Sequence, residues 1–462
     1  MNINWKDTLE ESGESVDDQW DKFKCIIKEA ELKHIPNKIF NNSVKKRSIP
    51  ADPVLIEARK KKNRTWTRYI ETRDPDKYKE YTRQRNKVKS LSRKAHKKIE
   101  TNICNNAKHN PKLFWGYVKN RTKSFPKVSD LVKSPDGDTE ELTENDKEKA
   151  EVLASFFCSV YTREPINETP ILESRKYKDS ITNIHVTENQ IEKALSKLKV
   201  DKAPGPDEIH PQILKELRKE IAPALKIIYN NVLSKAHLPI DWKHAHITPV
   251  FKKGVRKFAC NYRPVSLTCI SCKLLETLIR EKIIDHMKTN SLFSKKQYGF
   301  ISGRSTVLQL LKTLDDWTET IDRGEELDTI YLDFLKAFDT VPHKRLINKL
   351  KAYGIKGNIL NWIHSFITNR KQKVVVNGQA SEWAPVISGI PQGSVLGPVL
   401  FIIFINDLPD NISSNLLIFA DDTKIYRQIK HDNDQNILQE DIYKLQEWSD
   451  KWLLKINPDK CT

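Results

Sequence analysis

No apolar run in this 462-residue chain approaches the ~20 residues that a membrane-spanning helix needs. The longest, Val395 to Ile405, contains a Gly-Pro pair and is followed by Asn406-Asp407, which marks it as a buried helix of a soluble domain. The opening MNINWKDTLEESGES lacks both the basic start and the apolar core of a secretory signal, so the chain is expected to be intracellular, in the nucleus, the cytoplasm or both. Cysteine is sparse: seven residues, an odd number scattered along the chain, fit reduced thiols better than a disulfide framework. Cys269 and Cys272 form the one close pair, but no second Cys or His pair stands nearby and the flanks are apolar, which favours core packing over zinc. Nor is there an internal repeat of the length that builds solenoids.

What is present is charge. Lys and Arg number 79 against 61 Asp and Glu, a net charge of +18, and such a surface attracts polyanions. With 38% hydrophobic and 30% charged residues, the length suits two or three globular domains. Residues 51–130 hold 23 Lys and Arg against 8 Asp and Glu, so most of the excess sits there. Trp66, Tyr69, Tyr78 and Tyr81 are interleaved with the charges of RKKKNRTWTR and RQRNKVKSLSRKAHKK, a mixture that suits RNA or single-stranded DNA. The plain alternative is a solvated helical linker. A weak helical pattern surrounds Trp20, Phe23, Ile26 and Ile27, and Ser134-Pro135-Asp136-Gly137 reads as a turn ahead of a helix over 143–160. Thr187 and Gln190 have capping-box spacing, ahead of Ile191, Ala194, Leu195 and Leu198 on one face. A further amphipathic helix carries Ile213, Leu214, Leu217 and Ile221.

The chemistry is concentrated downstream. In TIYLDFLKAFD, strand-forming Ile330, Tyr331 and Leu332 lead to a carboxylate at Asp333. NLLIFADDTKIY reads as a hairpin with Asp421 and Asp422 at its tip. Acidic groups set among apolar residues need a compensating cation. Carboxylates from two strands can bridge a pair of divalent ions, which is the requirement of phosphoryl transfer, and hard oxygen ligands favour Mg²⁺. An Asp-Asp pair alone is weak, because turns favour Asp anyway. Between the acidic strands lies SGIPQGSVLGP, where Gly and Pro shape a loop ahead of an apolar helix and Gln392 supplies a donor and an acceptor at its centre. Composition leaves open an ordinary Gly-Pro connector.

The succession FKKG, NYRPVSL, QYGFISGRST, LDFLKAFD, SGIPQGSVLGP and FADD closely resembles the reverse transcriptase of jockey-like non-LTR retrotransposons. The resemblance is strong from about Thr187 onward, and NPKLFWGYVKNR looks like the linker that joins endonuclease to polymerase in such elements. It implies an α+β right-hand polymerase fold with helical fingers over 187–328 and an antiparallel-sheet palm over 329–462, preceded by a basic helical region over 1–186. The reverse transcriptase domain itself would cover approximately 233–462. By the same resemblance, Asp333, Asp421 and Asp422 would bind two Mg²⁺ ions, with Mn²⁺ able to substitute and the Phe334 carbonyl as an extra ligand. Phe338 would be a steric gate against a ribose 2′-hydroxyl, or a core aromatic, or both. Gln392 and Gly393 would lie against the incoming nucleotide and template, while Lys252 or Lys253 and Arg263 would meet the triphosphate. Arg304 would touch the template backbone, and Lys460, in an Asn-x-x-Lys motif, would protonate the leaving pyrophosphate.

The implied partners are an RNA template, a DNA primer or target, dNTPs and the element RNA, with no membrane. Leu335 departs from the family, which commonly has a small polar residue there. No endonuclease sequence precedes these motifs, and the chain stops two residues after Lys460, before a thumb, so a piece of a longer element protein is expected. Two rival readings remain: an RNA-dependent RNA polymerase, against which Phe338 argues, and an inactive copy that only binds nucleic acid.

Overall fold

The computed structural model describes residues 3–9, 15–36, 52–121, 128–133, 141–166 and 169–462, so the turn expected at 134–137 lies outside the described residues. The chain divides into two units, residues 1–33 with 127–462, and residues 34–126. The basic region expected over 1–186 is therefore shared between them.

In the 34–126 unit two long helices, Pro53–Thr72 and Pro75–Asn105, run back on each other. Each opens with an aspartate cap, Asp52 or Asp74, whose side chain accepts an early backbone N–H, and with proline in the first turn, where its missing N–H costs nothing. Arg73, at φ 53°, ends the first helix and makes the reversal. The four interleaved aromatics meet across the hairpin: Trp66 lies 4.7 Å from Tyr81 and Tyr69 lies 5.0 Å from Tyr78, centroid to centroid. These rings pack the two helices against each other, with Trp66 and Tyr78 still exposed beside the lysines and arginines.

The larger unit is built around two sheets. Its strands are β1 (His244–Phe251), β2 (Tyr262–Leu267), β3 (Glu326–Leu332), β4 (Arg370–Val376), β5 (Gln379–Ala380), β6 (Ala384–Val386), β7 (Asn415–Phe419) and β8 (Asp422–Ile429). The first sheet runs β2-β1-β4-β5, with β6 also on β4; only the β1–β4 pairing is parallel. The second, β3-β8-β7, is antiparallel throughout. The tight β7–β8 hairpin expected from NLLIFADDTKIY is present, with Phe419 opposite Asp422 and only Ala420 and Asp421 between.

Helices pack this unit into one large core containing Trp20, Trp242, Trp362 and Trp452. The apolar helix Gly397–Ile405 is buried on every side, which is why its sequence shows no polar face. Thr187 and Gln190 form the expected capping box on Glu188–Ser196. The pattern through Ile213 and Ile221 is split at Leu217 into two helices, Pro211–Glu216 and Arg218–Lys235. Near the N-terminus, Val16–His34 buries Trp20, Phe23 and Ile27; the Trp20 ring meets Trp242 edge-on at 5.2 Å and its Nε1 donates to Asp241. Cys269 and Cys272 are buried free thiols in the same core. Among the described residues no helix is long and apolar enough to cross a membrane.

Candidate active site

The antiparallel sheet brings the acidic residues together. β3 pairs with β8 so that Leu332 faces Thr423; Asp333, one step past the strand end, therefore sits beside Asp422, the first residue of β8. Asp421 occupies the hairpin turn just before it. A cleft of about 600 Å³ opens over this end of the sheet, and Asp333, Asp421, Lys252, Arg263, Phe338, Gln392 and Lys460 share its lining.

Two charge patterns meet there. Burial pushes the Asp421 carboxyl above its ordinary pKa, and repulsion from Asp422 and Asp333 adds to the effect. Opposite lie cations close enough to disturb one another: the Lys252 ammonium is pushed down by partial burial and then by Arg263, Lys460, Lys253 and Lys336. Lys460 reaches the acids directly, its Nζ 2.6 Å from Asp333 Oδ2. That contact is fixed by backbone, because Asn457 N–H donates to the Asp333 carbonyl at 2.8 Å and Leu335 N–H to the Lys455 carbonyl at 2.8 Å.

Among the described residues no three His, Cys, Asp or Glu side chains are already gathered as a metal-binding group. The donor chemistry nevertheless fits a hard divalent cation: all three acids offer carboxylate oxygens, and Asp421 is a half-buried acid whose carboxyl burial and then the neighbouring acids push up.

The Gln392 loop is locked from three sides. Gly389 and Gly393 have φ 84° and 120°, and a Cβ on Gly393 would come within 2.6 Å of the Ser266 carbonyl, so only glycine fits against β2. Ser266 N–H donates to the Gln392 carbonyl at 2.7 Å, and Gln392 Nε2 donates to Asp339 Oδ1 at 2.8 Å. Glu276, fully buried on Ile270–Thr289, accepts the Val395 and Leu396 N–H groups at 2.6 and 3.0 Å. Phe338 stacks on Phe401 with centroids 4.4 Å apart and presents its ring to the cleft.

A family profile described as reverse transcriptase (RNA-dependent DNA polymerase) matches residues 250–462. Those residues form a reverse transcriptase domain. The chain is also similar to the RNA-directed DNA polymerase from mobile element jockey of Drosophila melanogaster, 29% identical over 87% of this chain and 45% of that protein. A second relative, the probable RNA-directed DNA polymerase from transposon BS of the same species, is 30% identical over 71% of this chain and 38% of its own length. The chain thus spans less than half the length of either relative. A solved structure of apo telomerase from Candida Tropicalis, truncated from the C-terminal domain, shares 13% identity over 49% of this chain and 50% of that chain, with a TM-score of 0.37.

The reverse transcriptase domain contains every site residue singled out from the sequence, and its cleft gathers most of them. Lys252, Lys253, Arg263, Asp333, Phe334, Phe338, Gln392, Gly393, Asp421 and Lys460 line it. The Phe334 ring is buried and edge-on to Trp448. Arg304 lies apart from this lining, with its guanidinium on the Ser294 and Gln297 carbonyls and over the Tyr298 ring.

Sequence reasoning missed Asp339, Lys336, Glu276 and Gln297. Asp339 is the second acid of LDFLKAFD, and burial raises its carboxyl to about 6 despite the Gln392 amide. Glu276 was signalled by a carboxylate inside the apolar stretch KLLETLI.

Proposed function

We propose that this chain is the polymerising part of a non-LTR retrotransposon reverse transcriptase, with 187–328 as fingers and 329–462 as palm. The observation that carries the reading is the convergence of Asp333, Asp421 and Asp422 at one sheet end, with Asp333 and Asp421 sharing a single cleft with Lys252 and Arg263 and Asp422 exposed beside them. Opposed carboxylates and fixed cations are what a nucleoside triphosphate with its divalent ions requires. The reaction is attack of a primer 3′-hydroxyl on the α-phosphate of a dNTP, with RNA as template and pyrophosphate as leaving group.

The three aspartates would hold Mg²⁺, which when bound supplies Lewis-acid activation of the hydroxyl and neutralises charge on the transferring phosphoryl group. Arg263 binds the triphosphate together with Lys252 or Lys253, both of which line the same cleft. Lys460 stands within reach of the reacting end and is oriented by Asp333, which suits it to give a proton to pyrophosphate. Gln392, steadied by Asp339, and Gly393 form the wall against nucleotide and template.

Phe338, backed by Phe401, closes the sugar side against a 2′-hydroxyl. Phe338→Ala is expected to raise ribonucleotide incorporation relative to deoxynucleotide by at least about tenfold, the scale on which a filled or opened apolar contact discriminates. Unchanged sugar selectivity would return Phe338 to a packing partner of Phe401. The function itself is tested by extension of a DNA primer on an RNA template with dNTPs and Mg²⁺. Binding of template-primer without extension would favour the inactive nucleic-acid-binding reading.

A further inference from the structure

Ala420, the residue before Asp421, has φ 60°, a backbone conformation that is strained for a residue bearing a Cβ and is ordinarily left to glycine in tight hairpins. Something must hold it there. The Gln297 side chain, 1% exposed, does so from both directions: its Oε1 accepts the Ala420 N–H at 2.9 Å, and its Nε2 donates to the Ala420 carbonyl at 3.3 Å. The same Oε1 accepts Gly299 N–H at 2.7 Å. The surrounding backbone repeats the grip, with Tyr298 N–H on the Ile418 carbonyl at 2.8 Å and Ile418 N–H on the Lys296 carbonyl at 2.9 Å. Gly299 packs so closely on the Ala420 backbone that a Cβ there would overlap its nitrogen. Arg304 secures the far side of this segment through the Ser294 and Gln297 carbonyls.

We propose that Gln297 is a positioning residue that sets the Asp421 turn, with Arg304 as the anchor of the brace that carries it. This builds on the reading of Asp421 as a catalytic carboxylate. A neutral amide is the group the place demands. It must accept two N–H groups and donate once, and a carboxylate there could not donate and would put another negative charge behind a carboxyl already strained by Asp422 and Asp333. The brace also gives Arg304 a role that needs no template. Without the amide, the peptide groups of Ala420 lose their buried partners and the residue no longer has a reason to keep φ positive. Asp421 then moves relative to Asp333, which is held separately, just past the end of β3.

The test uses the full chain with Gln297→Met, Ala420→Gly and the double variant. Hydrogen exchange of the peptide covering 415–424 and primer-extension kinetics are the two readouts. Gln297→Met is expected to speed exchange at the hairpin tip and to lower kcat by about a hundredfold, the penalty of misplacing a reacting group by an ångström. The KM for dNTP should stay within about threefold, because uniform binding by Lys252 and Arg263 is untouched. Adding Ala420→Gly, which accepts positive φ without strain, is expected to recover kcat at least about threefold. A merely structural role would show equal losses with or without the glycine. Tip exchange and kcat unchanged in Gln297→Met would overturn the brace. If that variant does not fold, Gly299→Ala displaces the same turn, and unaltered tip exchange there overturns it equally. A wild-type chain that extends no primer removes the catalytic reading alone, since exchange still decides the brace.

Discussion

Asp421→Asn is expected to lower primer extension at least about a thousandfold while melting no lower than the wild type. The first half follows from charge. Electrostatic stabilisation by a metal-binding carboxylate is worth several kcal/mol in the transition state, and about 1.4 kcal/mol corresponds to each tenfold in rate. The second half follows from position. Asp421 is half-buried, its carboxyl is pushed up by burial and by two neighbouring acids, and Arg263 is the cation that opposes them. Asparagine keeps the shape of the side chain and removes the repulsion, so folding is relieved of a strained charge even as chemistry is lost. Thermal melts beside primer extension measure both. A rate for Asp421→Asn within about tenfold of wild type would sink the assignment of this carboxylate to the reaction.

The contrast between what was legible and what was not is physical. β3 and the β7–β8 hairpin announce themselves because apolar, β-prone runs stop at acids, and the period and the punctuation lie close together in the chain. The Gln392 loop is legible for the same reason: its glycines and prolines are local. Gln297 was invisible, since its amide acts on Ala420, 123 positions away, and nothing in QYGFISG says where that amide points. Glu276 reaches Leu396 across 120 positions, and Asp339 reaches Gln392 across 53. Arg304 is a further case: a cation in a polar loop suggests phosphate, and only the fold shows its guanidinium on the Ser294 and Gln297 carbonyl oxygens. The aromatics of the basic hairpin were likewise open to base stacking by composition, and only the return of the second helix against the first pairs Trp66 with Tyr81.

The other large effect lies beneath the site, at Lys349. This lysine is fully buried on His343–Ala352, donates to the Phe404 carbonyl at 2.6 Å and pairs with Asp407. The rings of Trp452, Trp448 and Phe404 surround its ammonium at 3.8, 4.4 and 4.6 Å. It ties together three helices, including Gly397–Ile405, which continues directly from the Gln392 loop. Removing one partner of such a pair leaves the other charge buried, so Lys349→Met is expected to destabilise the chain by about 3–5 kcal/mol. Lys349→Met with Asp407→Leu should recover most of that loss, because an apolar pair needs no mutual compensation. The pH dependence has a definite sign. Burial pushes the Lys349 amine down to about 8 against the pull of Asp407. Below that value both folded and unfolded states hold the proton, and the fold carries the full penalty of a buried charge. Between about 8 and the ordinary lysine value near 10.4 the unfolded chain binds more protons, so stability gained from this group rises with pH. The gap in stability between wild type and Lys349→Met is therefore expected to widen from about pH 7 to about pH 9.5. Denaturant titrations at the two pH values measure it, and a gap that narrows would mean that the charged pair, rather than a penalised amine, dominates the site.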